Sequence, residues 1–159
     1  MKIRKIEPND NTAMAKIIRN SLEEFNAVKQ GTVYFDEATD HLSDIFSEAR
    51  SAYFVIEIEG ELAGGAGIFP TKELADDTCE LVKMYLAKKF RGNGYGKILL
   101  EKCINRAKEE GYVKMYIETM PELSNALEMY RKNGFEYISH SLGNSGHTGC
   151  ELWMIKTIN

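Results

Sequence analysis

The sequence has few cysteines, no long apolar run and no excess of positive charge, and each absence excludes a class of protein. Its three cysteines lie far apart and lack C-x-x-C spacing, which argues against a disulfide framework and a zinc knuckle. No apolar stretch approaches the roughly 18 residues that a membrane span needs, and the charged start lacks the apolar segment of a signal peptide. We therefore expect a protein of the reducing cytoplasm that is neither membrane-bound nor exported.

The charge balance excludes nucleic acid as a partner. Twenty Lys and Arg against 24 Asp and Glu leave a formal net charge of −4, the wrong sign for binding a polyanion. The charge is unevenly distributed, because residues 34–49 carry five acids and no Lys or Arg, whereas residues 83–102 carry six bases and one acid. One region could attract a cation and the other could hold an anion.

The organisation of the chain predicts one domain over residues 1–159. A length of 159 residues with 43% hydrophobic composition suits a single core, and no repeat or linker divides the chain. Hydrophobic periodicity predicts the order β-α-α-β-β-β-α-β-α-β-β, with a hairpin over 52–69. We therefore expect an α+β fold around one largely antiparallel sheet.

Three local predictions concern helix ends and faces. Asn9 and Asp10 are placed to cap the first helix. Thr119 and Glu122 form a T-x-x-E capping box that should open the last helix. The second, acidic helix is expected to bury one face, formed by Leu42, Ile45, Phe46 and Ala49.

A glycine-rich turn, Arg91-Gly92-Asn93-Gly94-Tyr95-Gly96, is the first feature that indicates a ligand. Such a turn aims several N–H groups at one point, and the N-terminus of the following helix favours phosphate. A P-loop would need Gly at Arg91 and Ser or Thr at Ile98, and a dinucleotide fingerprint would need its third glycine at Lys97. Neither pattern is present. The two remaining interpretations are a loop that binds a pyrophosphate without a metal, such as that of coenzyme A, and an ordinary strand-to-helix turn.

Three motifs follow one another between Glu80 and Phe135. They are a strand, the R-G-x-G-x-G loop with its helix, and an A-x-x-x-Y-x-x-x-G-F pattern from Ala126 to Phe135. Together they resemble the acetyl-CoA-binding core of the GNAT superfamily of N-acetyltransferases. The resemblance implies a mixed, largely antiparallel sheet of about seven strands flanked by about four helices. It also implies direct transfer of an acetyl group from acetyl-CoA to a small amine or a peptide amino group.

The resemblance also implies which residues bind the cofactor. The backbones of Met84 and Leu86 would hold the pantetheine arm as an added strand does. Arg91 and Lys97 would add charge at the pyrophosphate. The amides that bind it would be those of Gly92, Asn93, Gly94, Tyr95, Gly96 and Lys97. One family contact is not carried over, because the expected Asn is Leu123 here and Asn125 is out of register.

Acyl transfer to an amine needs a base for the amine and an acid for the leaving thiolate. Tyr130 matches the family tyrosine that donates this proton, and the alternative is a ring packed on the sheet. Glu80 matches a position where some members place a base acting through water, and the alternative is a sheet-surface charge. His140 or His147 could be the base instead, or a solvated loop residue. No metal is expected.

The acceptor side of such a protein would be formed by roughly residues 25–46 and 139–150. The acidic second helix, close to Phe25, Tyr34 and Phe35, suggests a cationic amine, and a solvated helix face is the alternative. A non-catalytic acyl-CoA-binding regulatory module of the same fold is the alternative function. The sequence leaves open whether the chain forms a homodimer.

Overall fold

The structure is a computed structural model that describes residues 1–159. The strands are β1 Lys2–Lys5, β2 Ala52–Ile58, β3 Glu61–Phe69, β4 Thr78–Leu86, β5 Lys114–Thr119, β6 Glu136–Ile138 and β7 Leu152–Thr157. The helices are α1 Asn11–Glu24, α2 Leu42–Ile45, α3 Tyr95–Glu109 and α4 Ser124–Lys132. The predicted order of elements is confirmed.

All seven strands form one sheet in the order β1-β2-β3-β4-β5-β7-β6. Every neighbouring pair is antiparallel except β4 and β5, which are parallel. A parallel pair requires a crossover connection, and α3 provides it. The predicted α+β fold with a largely antiparallel sheet is confirmed.

The sheet has a hydrophobic core on each face. The apolar stripe of α3, which includes Leu99, Cys103 and Ala107, packs on one face, as its helical spacing predicts. Met14, Ile18 and Leu22 of α1 pack on the other face. The sheet is therefore covered on both sides, and a ligand can reach its centre only where two strands separate.

Such a separation occurs between β4 and β5. The two strands pair only from Thr78 to Glu80 of β4 and then diverge. Where the strands have diverged, β4 contains a β-bulge, because Lys83 and Met84 together lie opposite the single residue Ala66 of β3. Lys83 has a φ of +51°, which is uncommon for a residue other than glycine.

The bulge is held in place by Tyr53 of β2. Its ring lies so close to Gly65 and Gly67 of β3 that a Cβ on either glycine would come within 2.6 Å of it. From this position the Tyr53 hydroxyl donates a hydrogen bond of 2.7 Å to the carbonyl oxygen of Lys83. The glycine-rich sequence of β3 thus fixes the irregularity in β4.

The predicted second helix is wrong in length. Residues 37–40 form a 3-10 turn and α2 has only four residues. Leu42 and Phe46 are buried as expected, but Ala49 is exposed, because the chain leaves the helical path at Phe46. The segment is irregular since its side chains bond to other elements, as the Arg19–Asp40 ion pair shows.

The two predicted helix caps are also wrong. Asp10 lies at the N-cap position of α1, but its carboxylate accepts hydrogen bonds of 2.7 and 2.9 Å from Arg4 instead of bonding to a helix amide. Thr119 belongs to β5, and Glu122 accepts a 2.5 Å hydrogen bond from Lys29. Asp10 is held by Arg4 and by the nearby Glu7 amide, whereas Glu122 is held by a partner distant in sequence.

Candidate active site

The divergence of β4 and β5 opens a cleft of about 410 Å³ beside the N-terminus of α3 and one face of α4. Tyr130 of α4 lines it, as do Leu123 and Asn125. The predicted cofactor-binding residues that line it are Met84, Leu86, Arg91, Gly92, Gly94, Gly96 and Lys97. The structure therefore brings together the strand, the loop and the tyrosine that the sequence singled out.

The edge of β4 faces this cleft with its main chain. The N–H of Ala87 donates to Ala63 of β3, and alternate residues of a strand direct their main-chain groups to opposite edges. The main-chain groups of Met84 and Leu86 are therefore directed to the edge that β5 no longer pairs with, although the Leu86 carbonyl already accepts a hydrogen bond from Arg91. An extended ligand could add to this edge as a strand does.

The glycine-rich loop is shaped for its turn by two backbone conformations. Gly92 and Gly94 have φ values of +79° and +83°, and an added Cβ would meet nothing within 4 Å of either. The constraint on both is therefore conformational rather than steric. Gly94 is the N-cap of α3, so the amides that follow it have no partner in the preceding turn and are oriented toward an anion.

Two residues of the loop do not line the cleft. The Asn93 side chain donates to the carbonyl oxygens of Phe90 and Arg91, and Tyr95 packs against the core beneath α3. Their predicted contribution is made by main-chain amides, so it does not depend on where these side chains lie.

Arg91 lines the cleft, but its charge is already balanced. The guanidinium donates to Leu86 O at 3.0 Å, to Glu24 at 2.7 Å and to the Ser21 hydroxyl at 3.0 Å, and it lies over the ring of Phe25. Arg91 thus ties the loop to α1. Its predicted contact with a pyrophosphate stays a prediction.

Tyr130 packs on the core and also lines the cleft, so its position is compatible with both roles that the sequence left open. Its ring is buried and packs edge-on against Phe135, with ring centres 5.8 Å apart. Its hydroxyl makes no hydrogen bond to another group of the chain, and the residue lines the cleft. Burial raises the pKa of this phenol, so Tyr130 stays protonated and able to donate at neutral pH.

Glu80 is buried, so the expectation of a sheet-surface charge is wrong. It lines a second, smaller cavity of about 50 Å³, which shares lining residues of β4 and β5 with the cleft. The Thr71 hydroxyl donates a 2.6 Å hydrogen bond to its carboxylate. Burial raises the pKa of Glu80 to about 7, which allows it to take up and release a proton near neutral pH.

The two histidines differ. His140 is exposed beside Ser139, as expected of a solvated loop residue. His147 lines the smaller cavity, and its Nε2 lies 2.9 Å from a carboxylate oxygen of Asp36. This pair links the two loops that were expected to form the acceptor side.

Sequence reasoning missed Lys83 and Glu118, which both line the cleft and the smaller cavity. Glu118 accepts hydrogen bonds from the Tyr116 and Ser145 hydroxyls. The only sequence signal for either residue was a charge within an apolar strand.

Two general features complete the description. No group of three or more His, Cys, Asp or Glu side chains is arranged to hold a metal ion. None of the helices combines the length and the apolar content needed to cross a bilayer.

Known proteins resemble this chain over its whole length. The model of the acetyltransferase (GNAT) family matches residues 15–135. The uncharacterized N-acetyltransferase YjgM of Escherichia coli is 36% identical over 157 residues, covering 98% of this chain and 94% of that protein.

Two solved structures show the same fold. A GNAT-family acetyltransferase from Staphylococcus aureus has a TM-score of 0.85 at 20% identity, covering 99% of both chains. YncA from Salmonella typhimurium, solved with its cofactor acetyl-CoA, has a TM-score of 0.75 at 18% identity, covering 100% of this chain and 94% of that one.

Proposed function

The chain belongs to the GNAT family of acetyltransferases, and on that premise we propose that it transfers an acetyl group from acetyl-CoA directly to the amino group of a small molecule or peptide. The observation that supports this most is that the cleft at the glycine-rich N-terminus of α3 and the smaller cavity at Glu80 adjoin, because they share lining residues of β4 and β5. One end suits a diphosphate, and the other holds a group that can move a proton.

We assign the acyl donor to the larger cleft. The main-chain groups of Met84 and Leu86 would hold the pantetheine arm at the open edge of β4, and the amides of residues 92–97 would hold the pyrophosphate at the N-terminus of α3. Lys97 is exposed, and its ammonium is 3.8 Å from Glu101, so it can turn toward an anion. Arg91 would act mainly by fixing the loop.

We assign the proton transfers to Glu80 and Tyr130. Glu80, acting through a water, would take the proton that the amine loses as its nitrogen bonds to the acetyl carbon. Tyr130 would give its hydroxyl proton to the sulfur as the carbon–sulfur bond breaks. The two residues lie on opposite sides of the opened strand pair, in the smaller cavity and in the cleft respectively.

The test measures binding and turnover separately. Calorimetry with acetyl-CoA should give saturable binding of one molecule per chain. Thiol release, followed with a thiol-reactive dye across a panel of amines, amino acids and peptides, should show turnover with at least one acceptor. Tight binding with no turnover on any acceptor would favour the regulatory module, and absence of binding would overturn the assignment.

A further inference from the structure

The β-bulge in β4 gives Lys83 an unusual position. On β4, Leu81 before the bulge and Met84 after it both pack toward the core beneath α3, while Val82 and Tyr85 pack toward α1. Without the bulge, residue 83 would lie on the same face as Leu81, inside the core. As the extra residue of the bulge, Lys83 lines both the cleft and the smaller cavity instead.

The ammonium group of Lys83 has no partner. It forms no ion pair and no hydrogen bond within the chain, and burial lowers its pKa. The other two cationic groups that line the cleft both have a carboxylate nearby, since Arg91 bonds to Glu24 and Lys97 lies close to Glu101. Asp36 and Glu80 attract this group but do not contact it, and a half-buried cation without a contacting counter-charge gains from a ligand that provides one.

The nearby acids do not neutralise it. Asp36 bonds to the His147 ring and accepts from the Ala38 amide. Glu80 is bonded to Thr71. Glu118 accepts hydrogen bonds from two hydroxyl groups. None of the three carboxylates forms an ion pair with Lys83, so an anion in direct contact with it would come from a bound molecule.

We propose that Lys83 binds a carboxylate of the acceptor, and that the acceptor is a small molecule carrying this carboxylate close to its amino group, as an amino acid does. The inference rests on the proposed function, because it takes the donor's diphosphate to lie at the distant N-terminus of α3. Lys83 is located where the two cavities meet, which is where an acceptor has to approach the thioester.

The size and charge of the smaller cavity agree with such an acceptor. Its volume of about 50 Å³ corresponds to roughly three to five water molecules, which is the scale of a small amino acid. Glu80 and Glu118, which line it, and Asp36, which is bonded to the His147 that lines it, would favour the ammonium end of a zwitterion. These three acids and the unpaired Lys83 are then complementary.

The experiment compares free amino acids with their own carboxamides as acceptors, together with spermidine and short peptides. We expect the free acid to be preferred by about 10- to 100-fold in kcat/KM, the usual effect of one charge-assisted hydrogen bond. Lys83→Gln should abolish this preference by raising KM for the acid alone, and Lys83→Arg should retain it. Lys88→Gln, at an exposed lysine, should behave like the wild type.

The outcomes separate this inference from the function on which it rests. A wild-type preference for carboxamides, spermidine or peptides, or an acid preference that survives in Lys83→Gln, overturns it. Intact acetyl-CoA binding with no amino acid acetylated also overturns it. Failure to bind acetyl-CoA overturns the proposed function itself. The wild-type comparison needs no variant, so a misfolded Lys83→Gln protein would not prevent a decision.

Discussion

The proposed donor side and the proposed acceptor side of the cleft are built in different ways. On the donor side, the positive φ values of Gly92 and Gly94 and the open edge of β4 offer main-chain groups to a ligand. On the acceptor side, side chains far apart in sequence are joined, for example Asp36 with His147 and Lys29 with Glu122.

The difference indicates which side suits a constant ligand and which suits a ligand that varies among relatives. Main-chain groups at a helix N-terminus depend on the fold and on a few glycines, so they suit a ligand that stays constant. Side-chain pairs between loops can be exchanged without disturbing the sheet, so they suit a ligand that differs from one relative to another. Substitutions on either side should test this division.

The Tyr130 hydroxyl should matter for catalysis and not for packing. In Tyr130→Phe we expect kcat to fall by about 10²- to 10⁴-fold, because the leaving thiolate loses its acid, with little change in thermal stability. Tyr112→Phe is the matched control, since its buried hydroxyl bonds to Arg50 O away from the cleft. That variant should lose stability and keep kcat. A normal kcat in Tyr130→Phe would show that Tyr130 acts only in packing.

Gly94 should determine donor binding through its backbone. In Gly94→Val we expect the Kd for acetyl-CoA to rise about 10- to 100-fold, since a β-branched residue at a φ of +83° has to distort the loop. Calorimetry measures the change. Gly60→Val, at a φ of +82° in the β2–β3 turn, adds the same strain far from the cleft and should leave Kd unchanged. Equal Kd values for the two variants would contradict a main-chain donor site.

Glu80 should give both activity and stability a dependence on pH. Activity should rise as the pH increases through about 7, where Glu80 ionises. In Glu80→Gln this rise should disappear, and kcat should fall about tenfold. The exposed Glu109→Gln variant should keep the wild-type profile. An unchanged profile in Glu80→Gln would assign the base to another group.

For stability the sign follows from a folded-state pKa that lies above the ordinary 4.5. The stabilisation by neutral Glu80 is complete below about pH 4.5 and is lost as the pH rises through about 7, a change of about 3 kcal/mol. Denaturant unfolding should therefore show that the free energy of unfolding falls less between pH 4.5 and pH 8 in Glu80→Gln than in the wild type.

The Asp36–His147 pair should affect only the acceptor. In Asp36→Asn we expect the acceptor KM to rise about threefold to tenfold through weaker positioning of the two loops, with the Kd for acetyl-CoA unchanged. Asp44→Asn removes an exposed acid of the same segment and serves as the control. A change in donor affinity in Asp36→Asn would break the division between the two sides.

The donor side could be predicted from the sequence because its signals are local. The spacing of Gly92, Gly94 and Gly96 between a strand and an amphipathic helix determines a turn and a helix N-terminus whatever surrounds them. The helix that carries Tyr130 was recognisable from its motif. The helix caps failed because Arg4, on the neighbouring strand, and Lys29, far away in the sequence, bond to the carboxylates that were expected to cap.

By itself, the sequence determined the order of strands and helices, the glycine-rich turn and the tyrosine, since each depends on residues only a few positions apart. The tertiary structure alone decided the burial of Glu80, the placement of Lys83 and the pairing of Asp36 with His147. These depend on where β2, β3 and the two loops meet β4. Burial and opposing charge act through space, and no local pattern in the chain records which distant groups will share one site.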